Sequence, residues 1–294
     1  MNNWALAGSF AALSLLSFFV FPGHTFLTQD TQIYVPILEH LWDPSALTHD
    51  ILVQRPHVAF TLYDEFAIAL RWLTHSNFGV VLQTAQIVFR TLGIWGVYLI
   101  ANAILRNPWQ SLITAAVSAA GAEVWGPAVL VVEFEPSPRA FAIPLLFLAV
   151  GLTAHARYGW AGAAAALGFV LHPPSVLPFW VCFVFLRRYR AAFVSLAVAS
   201  LALLLAAHWQ SGIKEPQVFF ARVTPALETI QRLRASYNWV GAWWPAEWPK
   251  YLALTAVGIA AFRRVRSRIP AALTPFLLGL PLLGLLSVPV SYVL

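Results

Sequence analysis

Apolar residues run along this chain in long blocks, and polar residues collect between them. The blocks extend from Trp4 to Phe21, Phe78 to Leu105, Gln110 to Val132, Phe141 to Ala156, Trp160 to Leu186, Ala191 to His208, Tyr251 to Phe262 and Ala271 to Leu294. Their length and their lack of strict alternation predict helices rather than half-buried strands. Crossing the hydrocarbon of a bilayer takes roughly 20 helical residues, so the shorter blocks read as short spans, re-entrant segments or helices surrounded by protein. The block from Trp160 to Leu186 carries His172-Pro173-Pro174 near its centre. Two successive prolines remove two backbone donors, and the block divides there into two short helices. The pattern predicts an all-α fold, a polytopic integral membrane helical bundle of about 8 to 9 spans, some of them short.

Two stretches interrupt the blocks. In residues 23–77, Asp30 precedes Ile33, Tyr34, Ile37, Leu38 and Leu41, and a second series follows at Phe60, Leu62, Phe66, Ile68, Leu70 and Leu73. Both have helical spacing and predict juxtamembrane helices lying along the surface, with Trp42 and Trp72 at the interface. In residues 209–250, Glu228, Gln231 and Arg232 fall on an amphipathic helix, with Lys214, Arg222 and Arg234 nearby. Tyr237, Trp239, Trp243, Trp244 and Trp248 follow. These aromatic rings suit either anchoring at a membrane interface or stacking on sugar rings.

Composition narrows the class. Among 294 residues, 60% are hydrophobic and 10% charged, and the mean hydropathy is +0.71. That leaves too little polar surface for an ordinary soluble domain, and the chain reads as a single transmembrane domain over residues 1–294. The net charge of +6 does not point to nucleic acid, because the basic residues sit beside the apolar blocks as topology signals. Arg106, Arg157, Arg187/Arg188/Arg190 and Arg263/Arg264/Arg266/Arg268 fall on one side, which the positive-inside rule makes cytoplasmic. The N-terminus falls on that side too. The first block lacks a basic leader and a small-residue cleavage site, so it reads as an uncleaved span. Cys182 stands alone in an apolar run and reads as a packing residue.

The opposite face receives the candidate chemistry. Six of the twelve carboxylates lie in the first loop, Asp30, Glu39, Asp43, Asp50, Asp64 and Glu65, and the segment Glu133-Phe134-Glu135-Pro136-Ser137-Pro138-Arg139 and His172 join them. Asp43-Pro44 fits a turn or a helix cap. His49 and Asp50 offer ligand atoms, but without a His-x-x-x-His spacing; a divalent metal is possible and not specified. Within the membrane, Gln83, Gln86 and Arg90 share one helix face. Arg90 lies about 18 Å along its helix, a depth at which a charge is paired or lines a cavity. Glu123, read on the next helix, is its expected partner, as a structural pair or as part of a solute path. No P-loop, Rossmann glycine pattern, Gly-x-Ser-x-Gly, HExxH or inverted repeat occurs.

An N-terminal span followed by a loop with an early acid (Thr28-Gln29-Asp30-Thr31-Gln32-Ile33-Tyr34), two juxtamembrane helices and many short, uneven helices resembles the GT-C class of membrane glycosyltransferases. The stretch Glu133-Phe134-Glu135-Pro136-Ser137-Pro138-Arg139-Ala140 with Leu171-His172-Pro173 is similar to patterns in bacterial GT-C-like membrane proteins. The resemblance covers roughly the first 190 residues, and no second acid stands beside Asp30. It implies a bacterial inner-membrane enzyme that moves a sugar from a lipid-phosphate donor to an acceptor at the outer face. Asp30 and Glu135 are the catalytic candidates; Arg139, His172, Arg90 and Asp50 are candidates for holding substrate. A base near the acceptor hydroxyl and cations over the leaving phosphate are what such a transfer requires. A transporter or lipid-handling channel built on Arg90 and Glu123, and a noncatalytic membrane subunit, are the alternatives. Because the chain stops at Tyr292-Val293-Leu294 without a polar tail, it is expected to lack a C-terminal part or to be an unusually short member of its class.

Overall fold

A computed structural model of the chain describes residues 2–54, 61–124, 129–186, 189–210, 224–234 and 247–279, with positions 245 and 282. Its helices are α1 (Asn3–Phe19), α2 (Thr31–Trp42), α3 (Ile51–Gln54), α4 (Tyr63–Thr74), α5 (Phe78–Leu105) and α6 (Pro108–Ala119). Then follow α7 (Pro138–Ala154), α8 (Tyr158–Leu171), α9 (Pro173–Val184), α10 (Tyr189–Gln210), α11 (Pro225–Arg234) and α12 (Glu247–Val265). The described residues form an all-α fold, interrupted by a hairpin of two-residue strands, β1 (Glu123–Val124) and β2 (Val129–Leu130). Among the described residues, α5 is the one helix long and apolar enough to cross a membrane.

The centre of the structure is the contact between α5 and α7, which run parallel. The rings of Phe89 and Phe141 lie 5.0 Å apart, Gly93 faces Pro144, Gly96 faces Leu148, and Gly151 faces Leu99 and the Gly96 carbonyl. A Cβ at Gly96 would stand 2.4 Å from the Leu148 nitrogen. Only a residue without a side chain allows the two backbones to approach this closely. Around this pair, α1 runs antiparallel to α5, with Phe10 against Tyr98 and the Ser14 hydroxyl donating to the Ile87 carbonyl at 2.7 Å. Helix α6 returns along the same side through Ala115 and Ala119. Helix α8 runs back along α7, and α9 turns again to bring Phe183 to Tyr158. The largest core cluster fills the space between them with Phe78, Phe141, Phe179 and Phe183.

These directions sort the polar residues by end. Arg106 closes α5 in a left-handed conformation, and His155 bonds the Leu99 carbonyl at 3.0 Å, which gathers Arg106, His155 and Arg157 at one end. The loop before α2, the segment 131–137 and the α8–α9 break lie at the other.

Several local expectations hold. The helices expected in residues 23–77 appear as α2 and α4, and the break at His172-Pro173-Pro174 separates α8 from α9. Asp43 forms a turn, accepting from the Ser45 amide and hydroxyl at 2.9 and 2.7 Å. Two readings need correction. The block Gln110–Val132 is not one helix: α6 stops at Ala119, and Gly121 takes a φ of +77° while packed on Pro22. That left-handed residue turns the chain into the hairpin, so Glu123 belongs to β1 and not to a helix facing Arg90. Helix α7 also begins earlier than the apolar pattern suggests, with Pro138 in its first turn. Proline is favoured there because its missing N–H has no intrahelical partner to lose. Arg139 is thereby a helical residue. The tryptophans at 239, 243 and 244, Tyr237, Lys214, Arg222 and the end at Tyr292-Val293-Leu294 lie outside the described residues, as does the side chain of Glu123.

Candidate functional site

The segment 133–137 is the hub of the polar end. From beneath, the Arg90 guanidinium donates to the Glu133 carbonyl at 2.7 Å, the Gly23 carbonyl at 3.0 Å and the Ser17 hydroxyl at 3.3 Å. Gln86 Nε2 adds a second bond to the Glu133 carbonyl at 2.9 Å. From the side, the Tyr63 hydroxyl donates to the Pro136 carbonyl at 2.8 Å. Gln86 and Arg90 therefore do use one face of α5 jointly, but to hold backbone. The expected partner, Glu123, has its side chain outside the described residues; the Arg90 Nη atoms go to these carbonyls and Ser17, two loops presenting acceptors to the rigid fork of a guanidinium.

Glu135 ties this segment to the loop before α2. Its Oε1 accepts from the Thr28 amide (2.9 Å), the Thr28 hydroxyl (2.6 Å), the Gln29 amide (2.8 Å) and the Thr25 hydroxyl (3.4 Å). Its Oε2 accepts from the Thr31 amide and hydroxyl, both at 2.8 Å. Burial opposes its ionisation, yet these donors from Thr28 and Thr31 outweigh burial and hold the carboxyl at about 2. It is 4% exposed. The carboxylate works as the missing cap of α2, whose preceding residue Asp30 makes no side-chain cap bond. A negative group at that helix start is favoured by the exposed amides and the helix dipole.

With Glu135 occupied in this way, Asp30 is left facing outward. Its side chain is 49% exposed, and its Oδ2 lies 3.6 Å from Arg139 Nη2. Arg139, at the start of α7, bridges to Glu133, its Nε standing 3.3 Å from Oε1. Of the two acids just ahead of it in the chain, Glu133 and not Glu135 pairs with Arg139, and Asp30 shares the guanidinium. Burial pushes the Glu133 carboxyl up, partly offset by Arg139. His172 caps the α8–α9 break, its Nδ1 2.8 Å from Ser175 Oγ. Burial and then the nearby Arg139 depress it to about 4, so the imidazole is neutral at physiological pH. Asp30, Glu135, Arg139 and His172 thus come from three separate segments to one place.

Asp50 serves a local turn instead, its Oδ1 accepting the Leu52 amide at 2.8 Å at the start of α3. Tyr34, Tyr63 and Asp64, none of them singled out as a site residue from the sequence, join the cluster. Tyr34, one turn after Asp30, is raised by burial and by the Asp30 charge, and packs edge-on to Tyr63 at 5.3 Å. Asp64, at the start of α4, is raised to about 6 by burial and by Glu65. The helical spacing of Asp30 and Tyr34 was a usable signal; the approach of α4 was not visible in the chain.

Among the described residues no three His, Cys, Asp or Glu side chains converge to hold a divalent cation, and the Arg139 guanidinium stands between Asp30 and Glu133 where the ion would have to sit. No protein-family model, curated protein or solved structure matches this chain.

Proposed function

We propose that this chain is a polytopic membrane protein of the bacterial inner membrane and a GT-C-like glycosyltransferase that uses a lipid-phosphate sugar donor at its outer face. The membrane reading is supported by apolar residues that point outward along whole helices: Leu15, Leu16 and Phe19 on α1, Phe193, Val198 and Leu204 on α10, and Leu252 and Val257 on α12, all half or more exposed except Leu15 at 45%. An apolar surface of that extent needs a cover, and lipid is the one consistent with the composition. The separation of the arginine-rich end from the acidic end supports the orientation.

The observation that carries the enzymatic reading is the half-exposed Asp30–Arg139 pair, mounted on backbone that Arg90, Glu135 and Tyr63 hold in place. In this reaction Asp30 accepts the proton of the acceptor hydroxyl as its oxygen bonds to the anomeric carbon. The bond from that carbon to the phosphate oxygen breaks, and its electron pair leaves with the lipid phosphate. Arg139 meets the charge gathering on that phosphate, for which its planar fork is suited. Neutral His172, with Nδ1 engaged by Ser175, has Nε2 left for a hydrogen bond to the sugar or phosphate. The solute-path alternative draws no support from Arg90, which gives its Nη donors to backbone carbonyls and a serine, and the Glu123 side chain lies outside the described residues. The test is release of polyprenyl phosphate from a polyprenyl-phosphate hexose by membranes containing the protein. D30N is expected to lower turnover by roughly 100-fold or more, the usual worth of a positioned base. Undiminished turnover in D30N would remove the reading.

A further inference from the structure

A groove opens between α1, α5 and the end of α7, at the basic end of the molecule, with about 530 Å³ of room. That volume falls within the range of about 300–1,000 Å³ usual for ligand sites. Its polarity changes with depth. At the mouth stand Asn3, His155 and Arg157, and further in the walls are Leu6, Phe10, Leu92 and Trp95. Arg157 is exposed and its side chain caps no helix; among the described residues no acid pairs with it. His155 is held at the mouth by the Leu99 carbonyl, 3.0 Å from its Nε2. Tyr98 adds one polar group inside. It lines the groove, packs on Phe10 at 5.2 Å and is 7% exposed, and its hydroxyl has no hydrogen-bond partner among the described residues. Along α5 the lining runs from Leu99 to Thr91, which is ~12 Å at about 1.5 Å per residue. That depth is most of one leaflet, or half of a hydrocarbon core ~30 Å thick.

We propose that this groove seats one anionic phospholipid of the cytoplasmic leaflet. Its phosphate lies at Arg157 and Asn3, an ester carbonyl accepts from the Tyr98 hydroxyl, and an acyl chain lies along Leu6, Phe10, Leu92 and Trp95. The order of groups down the groove, cation, hydroxyl donor and then hydrocarbon, is the order of complementary groups down a phospholipid. A guanidinium chelates a phosphate through paired hydrogen bonds, and basic pockets between spanning helices on the cytoplasmic side are where anionic head groups bind. A soluble anion would meet Arg157 but leave the apolar walls unoccupied. The site rests on the membrane part of the reading above and not on its glycosyltransferase chemistry.

The test uses the purified full chain in detergent, melted with phosphatidylglycerol, phosphatidylcholine or glycerophosphate and weighed by native mass spectrometry. Phosphatidylglycerol at about 100 times its dissociation constant is expected to raise the melting midpoint by roughly 5 °C, as binding to the folded state requires. One such lipid per chain should survive in the mass spectrum. Arg157→Ala should melt like the unaltered protein without lipid and lose the rise, and Tyr98→Phe should shrink it. Arg264→Ala, an arginine outside the groove, should keep it. An equal rise with phosphatidylcholine, a full rise with glycerophosphate, or equal losses in R157A and R264A would overturn the proposal. So would a dimer carrying no lipid, which would give the groove to a second copy. Release of the chain from cell membranes by alkaline carbonate would remove the membrane reading and this site with it. Retention without a preference for phosphatidylglycerol would remove the site alone.

Discussion

Glu135 has both carboxylate oxygens saturated by donors from Thr25 to Thr31, and this arrangement assigns it to architecture before chemistry. A base whose lone pairs are all engaged has none to offer an acceptor hydroxyl. The Glu135→Gln variant is expected to lose about 2–4 kcal/mol of stability, since an amide turns a donor toward amides that need an acceptor. The thermal midpoint in detergent measures it. The sign with pH follows from the depressed carboxyl, at about 2 against 4.5. The stability due to Glu135 is complete above about pH 4.5 and is lost as the pH falls through about 2. Asp64 behaves in the opposite sense. Its carboxyl is raised from 3.8 to about 6, so the folded state holds a proton the unfolded chain has released, and stability falls as the pH rises from about 4 to about 6. Asp64→Asn should therefore match the unaltered protein near pH 4 and melt higher at pH 8. The gain is about 1–2 kcal/mol after allowing for its partial exposure. A gap that closes with rising pH would contradict the assignment.

Between elements, the approach of α5 to α7 depends on glycine at the contact. Gly96→Ala would push a methyl group to 2.4 Å from the Leu148 nitrogen and from the Phe147 carbonyl carbon. Backbone cannot move aside as a flexible side chain would, and the cost of such overpacking is about 3 kcal/mol or more. Gly258→Ala, on α12 with nothing within 4 Å of its Cβ position, is the matched control and should be neutral or slightly stabilising. A reduced yield and lower melting midpoint for the first and not the second would check this. The damage reaches the site, because α7 carries Arg139 and α5 carries Gln86 and Arg90. A shift at this crossing moves the cation relative to Asp30.

Over the whole molecule, the helix directions place Arg106 and Arg157 at one end and Asp30, Glu133, Arg139 and His172 at the other. On the proposed membrane reading, the basic end is the one expected to face the cytoplasm. Ser45→Cys, in the turn after α2, should react with a membrane-impermeant maleimide in intact cells. Ser267→Cys, among the last arginines, should react only after the membrane is opened. Labelling of the second position in intact cells would reverse the orientation.

Much of this arrangement was legible in the order of residues alone. Helix α5 has the bounds its apolar block suggests, the α8–α9 break follows from two prolines, and α2 and α4 follow from the spacing of apolar residues. These are local effects, settled by backbone donors and by which side of a helix is apolar. The meeting of Asp30, Glu135, Arg139 and His172 was also anticipated, because polar groups stranded at one end of apolar helices have few places to go. Which atoms touch was another matter. That Glu135 caps α2 while Asp30 stays open, that Arg139 takes Glu133, and that Arg90 binds the backbone of two loops all depend on how distant segments are brought together, Thr31 and Glu135 being 104 positions apart. Hydrogen-bond partners of equal chemical fitness are separated only by distance and direction, and those come from the packing of α5 on α7. A periodic pattern carries no record of that packing, and so the roles of the carboxylates were decided in three dimensions.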